Sequence, residues 1–410
     1  MTLSVISLFT GAGGLDLGFE AAGFKTAVAA EFDERCVKTL LQNRDWPVIA
    51  RDLLEVPTSE ILAKAQLKPG EADMLIGGPP CQPFSKSGFW ASGQAKRLND
   101  PRAGTLGAYM RVLAESRPRA FLLENVEGLG FRGKDEGLKL VQSELERINA
   151  KHHTRYHASI GVLNAADYGV PQSRKRLFVI GARDGTVFDF PSSSHVDPAL
   201  VTLGDNRRSY RTAWDALHDL DTSEPSLAAK GKWAKLLPSI PEGQNYLWHT
   251  ERGMGEPLFG WRRRYWSFLL KLAKAQPSWT LQAQPGPATG PFHWTSRRLS
   301  MREMARLQTF PDDFVVTGTV ADAQRQLGNA VPALLAEVLA RAIARQVLRI
   351  AISQEPLLAL PDAPPTPEPE PVQPVPAQYL KLRGAHDAHP GTGLGYRASA
   401  RGSTHLVAAE

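Results

Sequence analysis

Cysteine is nearly absent from this chain: Cys36 and Cys81 are the only two in 410 residues. Two thiols build no disulfide framework, and neither sits in a C-x-x-C or Cys/His cluster. A metal site is therefore not expected, and a reducing, cytoplasmic setting is. Long apolar runs are missing too. No stretch reaches the roughly 20 residues of a membrane span, and the opening MTLSVISLFTGAGG lacks a basic n-region and a cleavage site, so neither membrane nor leader is expected. No repeat with a period of about 20–50 residues points to a solenoid. Acidic charge is in the minority, with 42 Asp and Glu against 48 Lys and Arg. Residues 351–410 hold 4 basic and 6 acidic side chains, which leaves a net +8 on residues 1–350. Such a balance hints at a polyanionic partner. The hydrophobic content of 42% is that of a soluble globular protein, in a chain long enough for two domains.

What is present in the first 183 residues is alternation. SVISLF, KTAVAAEF, WPVIARDL, ADMLIGG, RAFLLENV and RLFVIGAR read as strands, separated by helical patterns such as DERCVKTLLQNR and EGLKLVQSELERINA. That rhythm predicts an α/β fold with a doubly wound sheet. From about 190 to 296 the rhythm fails, and seven of the nine tryptophans fall there with 12 basic against 9 acidic residues. We read 190–324 as a small irregular domain inserted into the sheet domain, which comprises 1–189 and is completed by 325–350. The helix 300–308 serves as a hinge, and Ser300 and Glu303 fit a capping box at its start. An amphipathic helix over 330–350 should pack back on the sheet. Eight prolines in residues 361–376 predict an extended linker, and the rest of 351–410 a disordered tail.

Four constellations carry chemistry. FTGAGGLDLGF places Gly11, Gly13 and Gly14 in a strand-to-helix turn but misses G-x-G-x-x-G, which argues against a dinucleotide. Glu31 follows at the end of the second strand, where a carboxylate suits ribose hydroxyls, and Asp52 ends the third, where it suits an adenine amino group. Adenosine without a pyrophosphate points to S-adenosylmethionine. Second, Cys81 sits in GGPPCQPFSKSG after the fourth strand, in a rigid frame that suits a positioned nucleophile; Cys36 instead shares a helical face with Val37, Leu40 and Leu41 and reads as a core thiol. Third, Glu124 in FLLENV ends the next strand at the same edge. Fourth, Gln172, Arg174 and Arg176 precede a strand, and the two arginines should point together at the mouth of the site.

Taken together, SLFTGAGGLDLGFEAAGF, EFD, RDL, GGPPCQPFSKSG, ENVEGL, NAADYGVPQSRKRLFVIG, RRLSMREMARLQTFPDDF and QLGNAVP resemble the DNA cytosine-5 methyltransferase family of bacterial restriction-modification systems. The blocks keep the family's order over about 1–183 and 297–350. The resemblance implies a Rossmann-like S-adenosylmethionine-dependent fold and a target-recognition domain in 190–324. It implies that a cytosine is flipped out of duplex DNA, that Cys81 adds to its C6, and that Glu124 holds its N3 and N4 edge. Arg176 would meet the cytosine O2, and Arg174 would support the acidic residue and a nearby phosphate. Phe9, Gly11, Gly13, Glu31, Phe32, Asp52 and Asn329 would hold the cofactor. Gln82 and Ser85 would contact DNA, as would Arg262, Arg263 and Arg264 beside Trp261, Tyr265 and Trp266, although most tryptophans of the insert are expected in its core. The expected protein is a monomer acting on nucleoid DNA, with or without a separate cognate endonuclease. A tRNA methyltransferase, a silent DNA-binding relative and a thiol hydrolase are the competing readings; the basic insert, the intact Cys81 and Glu124 blocks, and the lack of a histidine partner weigh against each in turn.

Overall fold

The structure is a computed structural model that describes residues 3–80, 104–127, 136–221, 224–261 and 265–383. Alternation along the strands decides its architecture. Strands β1 (Leu3–Leu8), β2 (Phe24–Ala30), β3 (Val48–Ile49), β4 (Met74–Gly77) and β5 (Ala120–Val126) lie parallel. Beyond β6 (Ser159–Asn164) and the short β7 (Gln172–Ser173), strand β8 (Lys175–Ala182) enters antiparallel between β5 and β6. The sheet order is β3-β2-β1-β4-β5-β8-β6, so the winding reverses between β1 and β4. Residues Val5, Met74, Ile76, Leu122, Phe178 and Ile180 face one layer, formed by α1 (Gly14–Ala21) and a long helix over Ala333–Gln346. Their neighbours Ile6, Leu75, Phe121, Leu123 and Val179 face the other, formed by α3 (Thr58–Ala65), α4 (Gly104–Ser116) and α5 (Glu136–His152). Period-two burial on both faces makes the doubly wound sandwich.

Helix α2 (Glu34–Asn43) buries Cys36, Val37 and Leu40 as expected, but Leu41 points to solvent, so the apolar face is narrower than its sequence suggests. The closing pair of helices is α8 (Val320–Asn329) and α9 (Ala333–Gln346), after α6 (Ala213–Leu217) and α7 (Met301–Leu307). Residues Val320–Gln346 are long and apolar enough to cross a membrane, yet most of that stretch is buried here, and it breaks at Ala330 before Pro332. It is a core element. Helix α9 approaches α1 so closely that a Cβ on Gly18 would lie 2.4 Å from the Ala333 carbonyl oxygen. Two of the glycines in GGLDLGF, Gly14 and Gly18, thus serve helix packing rather than a ligand.

The irregular insert has short pairs, β9 (His195–Val196) with β10 (Arg208–Ser209), and β11 (Ser278–Trp279) with β7. Its packing divides in two. Ala213, Leu217, Trp294, Leu299, Met304 and Phe314 join Leu17, Leu40 and Trp46 of the sheet domain. A separate core gathers Trp233, Leu236, Tyr246, Phe259, Leu269 and Phe292. The capping box of α7 is formed: Ser300 Oγ accepts from Glu303 N, and Glu303 Oε2 accepts from Ser300 N.

The proline-rich segment is extended, but it is not a free linker, and residues 377–383 are not a disordered tail. From α9 onward the chain is fastened step by step. Glu337 accepts from Leu357 N and Leu358 N, Arg211 pairs with Asp362, and Trp214 Nε1 donates to the Pro364 carbonyl at 3.0 Å. Buried Lys274 donates to Glu242, to the Glu368 carbonyl and to Glu370, so two of its three acceptors come from this strap. Helix α10 (Ala377–Leu380) then inserts Tyr379 into the insert's core, stacked on Trp233 with its hydroxyl on the Lys232 carbonyl. The sequence gives no hint of this, because prolines set an extended backbone without setting what it lies against. Residues 384–410 lie outside the described residues. Tyr379→Ala should destabilise the insert's core by about 3 kcal/mol, the scale of deleting a buried aromatic ring. Urea unfolding followed by tryptophan fluorescence checks this, and an unchanged midpoint would mean the strap rests loosely on the surface.

Candidate active site

The reversal of winding puts the carboxyl ends of β1 and β4 side by side, the crevice in which open α/β sheets bind ligands. The chain leaving β4 is fixed there residue by residue. A Cβ on Gly77 would lie 2.6 Å from the Leu8 carbonyl oxygen, and one on Gly78 would lie 2.8 Å from Glu124 Oε2. Asn125 Nδ2 donates to the Pro79 carbonyl at 3.3 Å, and Thr105 Oγ1 to the Pro80 carbonyl at 3.3 Å. The paired glycines of GGPPCQ are therefore required by close approach, and the prolines are tolerated because this backbone is anchored through its carbonyls and needs no N–H. Cys81, Gln82 and Ser85 follow directly and lie outside the described residues, as do Arg262, Arg263 and Arg264.

Glu124 lies two residues before the end of β5 with its carboxylate buried, and Arg176 Nε meets its Oε1 at 3.0 Å. In the antiparallel register Arg176 stands opposite Val126, two residues beyond Glu124 on the same face of the sheet, which is why the pair can close diagonally. Burial pushes the Glu124 pKa up; Arg176 and then Arg174 pull it back. Arg174 and Arg176 do flank Glu124 together, but Arg174 is not at the mouth. It is fully buried, with one Nη on the Gly328 carbonyl at 2.8 Å and the other on the Leu281 carbonyl at 3.4 Å. Its Nε has no partner among the described residues. The reason is β11, which pairs with β7 and closes over the arginine. Gln172 extends this tie: its Nε2 donates to Leu307 O and Gln308 Oε1, and its Oε1 accepts from Leu281 N. Gln308 in turn donates to the Leu327 carbonyl. Gln308 and Thr105 are structural partners that local sequence does not single out.

On the other side of the crevice β1 runs into Phe9, whose φ of 53° is rare for an aromatic residue and costs on the order of 1–3 kcal/mol. Gly11 follows with φ 58° and open space where a Cβ would stand. Gly13 starts α1, but a side chain there would meet Leu40 and Trp46, so it shapes the turn. Glu31 is buried. Its Oε2 accepts from Gly11 N at 2.7 Å, and its Oε1 accepts from Phe32 N and Asp33 N at 2.9 and 2.8 Å. A carboxylate has about four acceptor sites, so one remains, on Oε2 beside Gly11. Burial raises the Glu31 pKa against these three donors. Phe32 is 60% exposed. Asp52 lies three residues past the short β3, exposed, with Oδ1 held by Leu54 N. Asn329 is exposed at the end of α8, next to the Gly328 carbonyl that Arg174 holds. A recess of about 600 Å³ opens beside α2, but it shares only Phe32 with these residues.

Sequence reasoning missed Asp16. It is fully buried in the first turn of α1, where it accepts from Ser7 Oγ at 2.8 Å and Thr26 Oγ1 at 2.9 Å. Ser7 also bonds Thr10 at 3.0 Å, so this carboxyl ties β1, β2 and the glycine turn together. A charged residue among the apolar positions of LDLGF was the available signal. Burial pushes its pKa up to about 7, against the two hydroxyls. The raised value means that protonated Asp16 stabilises the fold; that contribution is complete below pH 3.8 and lost as pH rises through about 7. Asparagine mimics the neutral form at every pH. The unfolding free energy of Asp16→Asn minus that of the parent should therefore increase from pH 5 to pH 8 in urea titrations, and a flat difference would contradict the assignment.

Residues 3–345 match the family model described as C-5 cytosine-specific DNA methylase. Type II methyltransferase M.SacI of Streptomyces achromogenes is 42% identical over 372 residues, which covers 84% of this chain and 93% of that protein. Type II methyltransferase M.FnuDI of Fusobacterium nucleatum is 32% identical, covering 83% and 94%. Among solved structures, a mutant of Spodoptera frugiperda DNMT2 aligns with a TM-score of 0.58 at 14% identity, covering 83% of this chain and 99% of that one. Entamoeba histolytica methyltransferase EhMeth aligns at 0.57 and 17%, covering 84% and 98%, and both likenesses speak for the shared fold alone. With the family matched from the first strand to the last long helix, the chain belongs to the C-5 cytosine-specific DNA methylases and is a DNA cytosine-5 methyltransferase.

Proposed function

We propose that this enzyme methylates C5 of a cytosine flipped out of one specific duplex DNA sequence, as the modification enzyme of a type II restriction-modification system acting in the bacterial cytoplasm. The observation that carries the reading is the buried Glu124–Arg176 pair, set against Gly78 at the foot of the segment that leads into Cys81. A carboxyl whose pKa is raised by burial can share a proton with the cytosine N3 while its other oxygen accepts from the N4 amino group. Arg176 keeps that carboxyl oriented through Nε and donates from Nη1 to the Lys175 carbonyl, which leaves its other guanidinium donors for the O2 edge. Held this way, the ring is electron-poor at C6, where the Cys81 thiolate adds. The C6–S bond forms, and the electron pair moves to C5, which becomes the nucleophile. After C5 is methylated, a base removes its proton, the pair returns to the C5–C6 bond, and the thiolate leaves.

The crevice beside Phe9 and Gly11 fits S-adenosylmethionine. The open space at Gly11 admits a ligand, the free acceptor site on Glu31 suits a ribose hydroxyl, and Phe9 and Phe32 offer aromatic faces to an adenine. Asp52 has one carboxylate oxygen left for the adenine amino group, and Asn329 would complete the site from the α8 side. When bound, the cofactor supplies an electrophilic methyl group on a sulfonium. The protein's part is to hold that methyl at the edge shared by β1 and β4, where Cys81 and Glu124 present C5. The basic 190–324 segment would read the duplex, and Gln82, Ser85 and Arg262–Arg264 would touch it.

Duplex DNA carrying 5-fluorocytosine in place of cytosine tests the mechanism, because fluorine cannot leave as the proton does. With S-adenosylmethionine present, the enzyme should form a denaturation-resistant protein–DNA adduct, and Cys81→Ala should form none while retaining its melting temperature. An active enzyme that gives no adduct, or an adduct that survives Cys81→Ala, would rule out addition by this thiol.

A further inference from the structure

The tryptophans of the insert divide into two groups. Trp233 and Trp294 are buried in its cores, whereas Trp266 and Trp279 are 40% and 42% exposed and touch each other, with ring centroids 5.3 Å apart. A pair of large rings left in water at one spot is uncommon on a protein surface and marks a contact site. Its position is specific. Trp279 belongs to β11 and stands in register with Ser173, the residue before Arg174. Arg176 lies three residues farther along an extended chain, about 10 Å away. The pair therefore stands at the junction of the insert with the segment that carries Arg174 and Arg176.

The backbone that carries the rings is also pinned. Ser278 N donates to Pro171 O at 2.8 Å, and Thr280 Oγ1 to Ser173 O at 2.7 Å, which pins the backbone on both sides of Trp279. Asn245 Nδ2 donates to the Trp266 carbonyl at 2.6 Å. The two rings are tilted 51° to one another, so they form an open wedge rather than a closed stack. Trp261 differs, because the Arg252 guanidinium lies 3.9 Å from its ring centre and covers one face. Lys175, two residues beyond Ser173, is exposed and adds a positive charge to this segment.

We propose that Trp266 and Trp279 form a stacking platform for nucleobases of the substrate duplex next to the target cytosine. This rests on the proposed reading of the site as one that draws a base out of duplex DNA. A flipped base leaves neighbours unstacked, and an aromatic surface at the mouth compensates for lost base stacking without reading sequence. The exposed Lys175, and continuity with the Arg174–Arg176 segment, favour DNA over a protein partner.

The test compares the full-length enzyme with Trp279→Ala, Trp266→Ala and Trp279→Phe, using tritiated S-adenosylmethionine and unmethylated plasmid DNA at several salt concentrations. Each alanine variant should raise the KM for DNA about tenfold, while the KM for S-adenosylmethionine and the melting temperature stay put. Trp279→Phe should restore most of the loss. Because stacking releases no counterions, the slope of log KM for DNA against log salt should not change. An unchanged KM for DNA in both alanine variants would overturn the platform, as would a salt slope reduced by about one, which marks a phosphate contact. Folded alanine variants with both KM values raised alike would overturn it too. If the parent enzyme transfers no methyl group to any plasmid DNA, the functional reading falls; if the parent is active and the variants match it, only the platform does.

Discussion

A buried ion pair is costly unless its geometry is fixed, and the Glu124–Arg176 pair makes that demand on most of the surrounding structure. Removing one partner of such a pair leaves an uncompensated charge and costs about 3–5 kcal/mol. The pair closes diagonally across β5 and β8, so it needs the antiparallel insertion of β8 beside an otherwise parallel run. It needs glycine at position 78, because the carboxylate occupies the space a Cβ would take. Asn125, next to Glu124, then holds Pro79. One strand end thus orients the Glu124 carboxyl and anchors the Pro79 carbonyl together, so the two cannot be displaced independently.

Arg174 links this arrangement to the insert. Its guanidinium joins the Leu281 carbonyl, two residues from Trp279, to the Gly328 carbonyl at the end of α8. Burial and then the neighbouring Arg176 drive its pKa well down, and Glu124 opposes them. The insert is held at a second place by the strap, whose Glu368 and Glu370 complete the shell of Lys274 and whose Tyr379 completes the Trp233 core.

The sheet, its two helical layers and the edge on which Phe9, Glu31, Glu124 and Arg176 meet were legible because each follows from local periodicity: a strand's alternation fixes its faces, and parallel winding fixes which ends converge. Glu31 and Gly11 show the limit of that reasoning within one site. Their spacing indicated a shared edge, but not that Gly11 N would occupy part of the carboxylate. What could not be read depends on contacts between distant segments. Arg174 looks like a surface fork until a strand more than 100 residues later covers it. Leu41 continues an apolar face that nothing meets. Asp52 looked like a strand end, but the strand stops at Ile49. The proline-rich strap was misread for the same reason, since its partners Arg211, Trp214 and Lys274 lie far back in the chain.

The central claim is that this site places a methyl group on C5 of cytosine within one duplex sequence. Base-resolved sequencing of modified bases in DNA from cells expressing the chain tests it most directly. The account predicts 5-methylcytosine at a single fixed position of one short recurrent motif, absent from cells without the chain. Modification of an exocyclic amino group, cytosine methylation without a common motif, or no new methylation would contradict it.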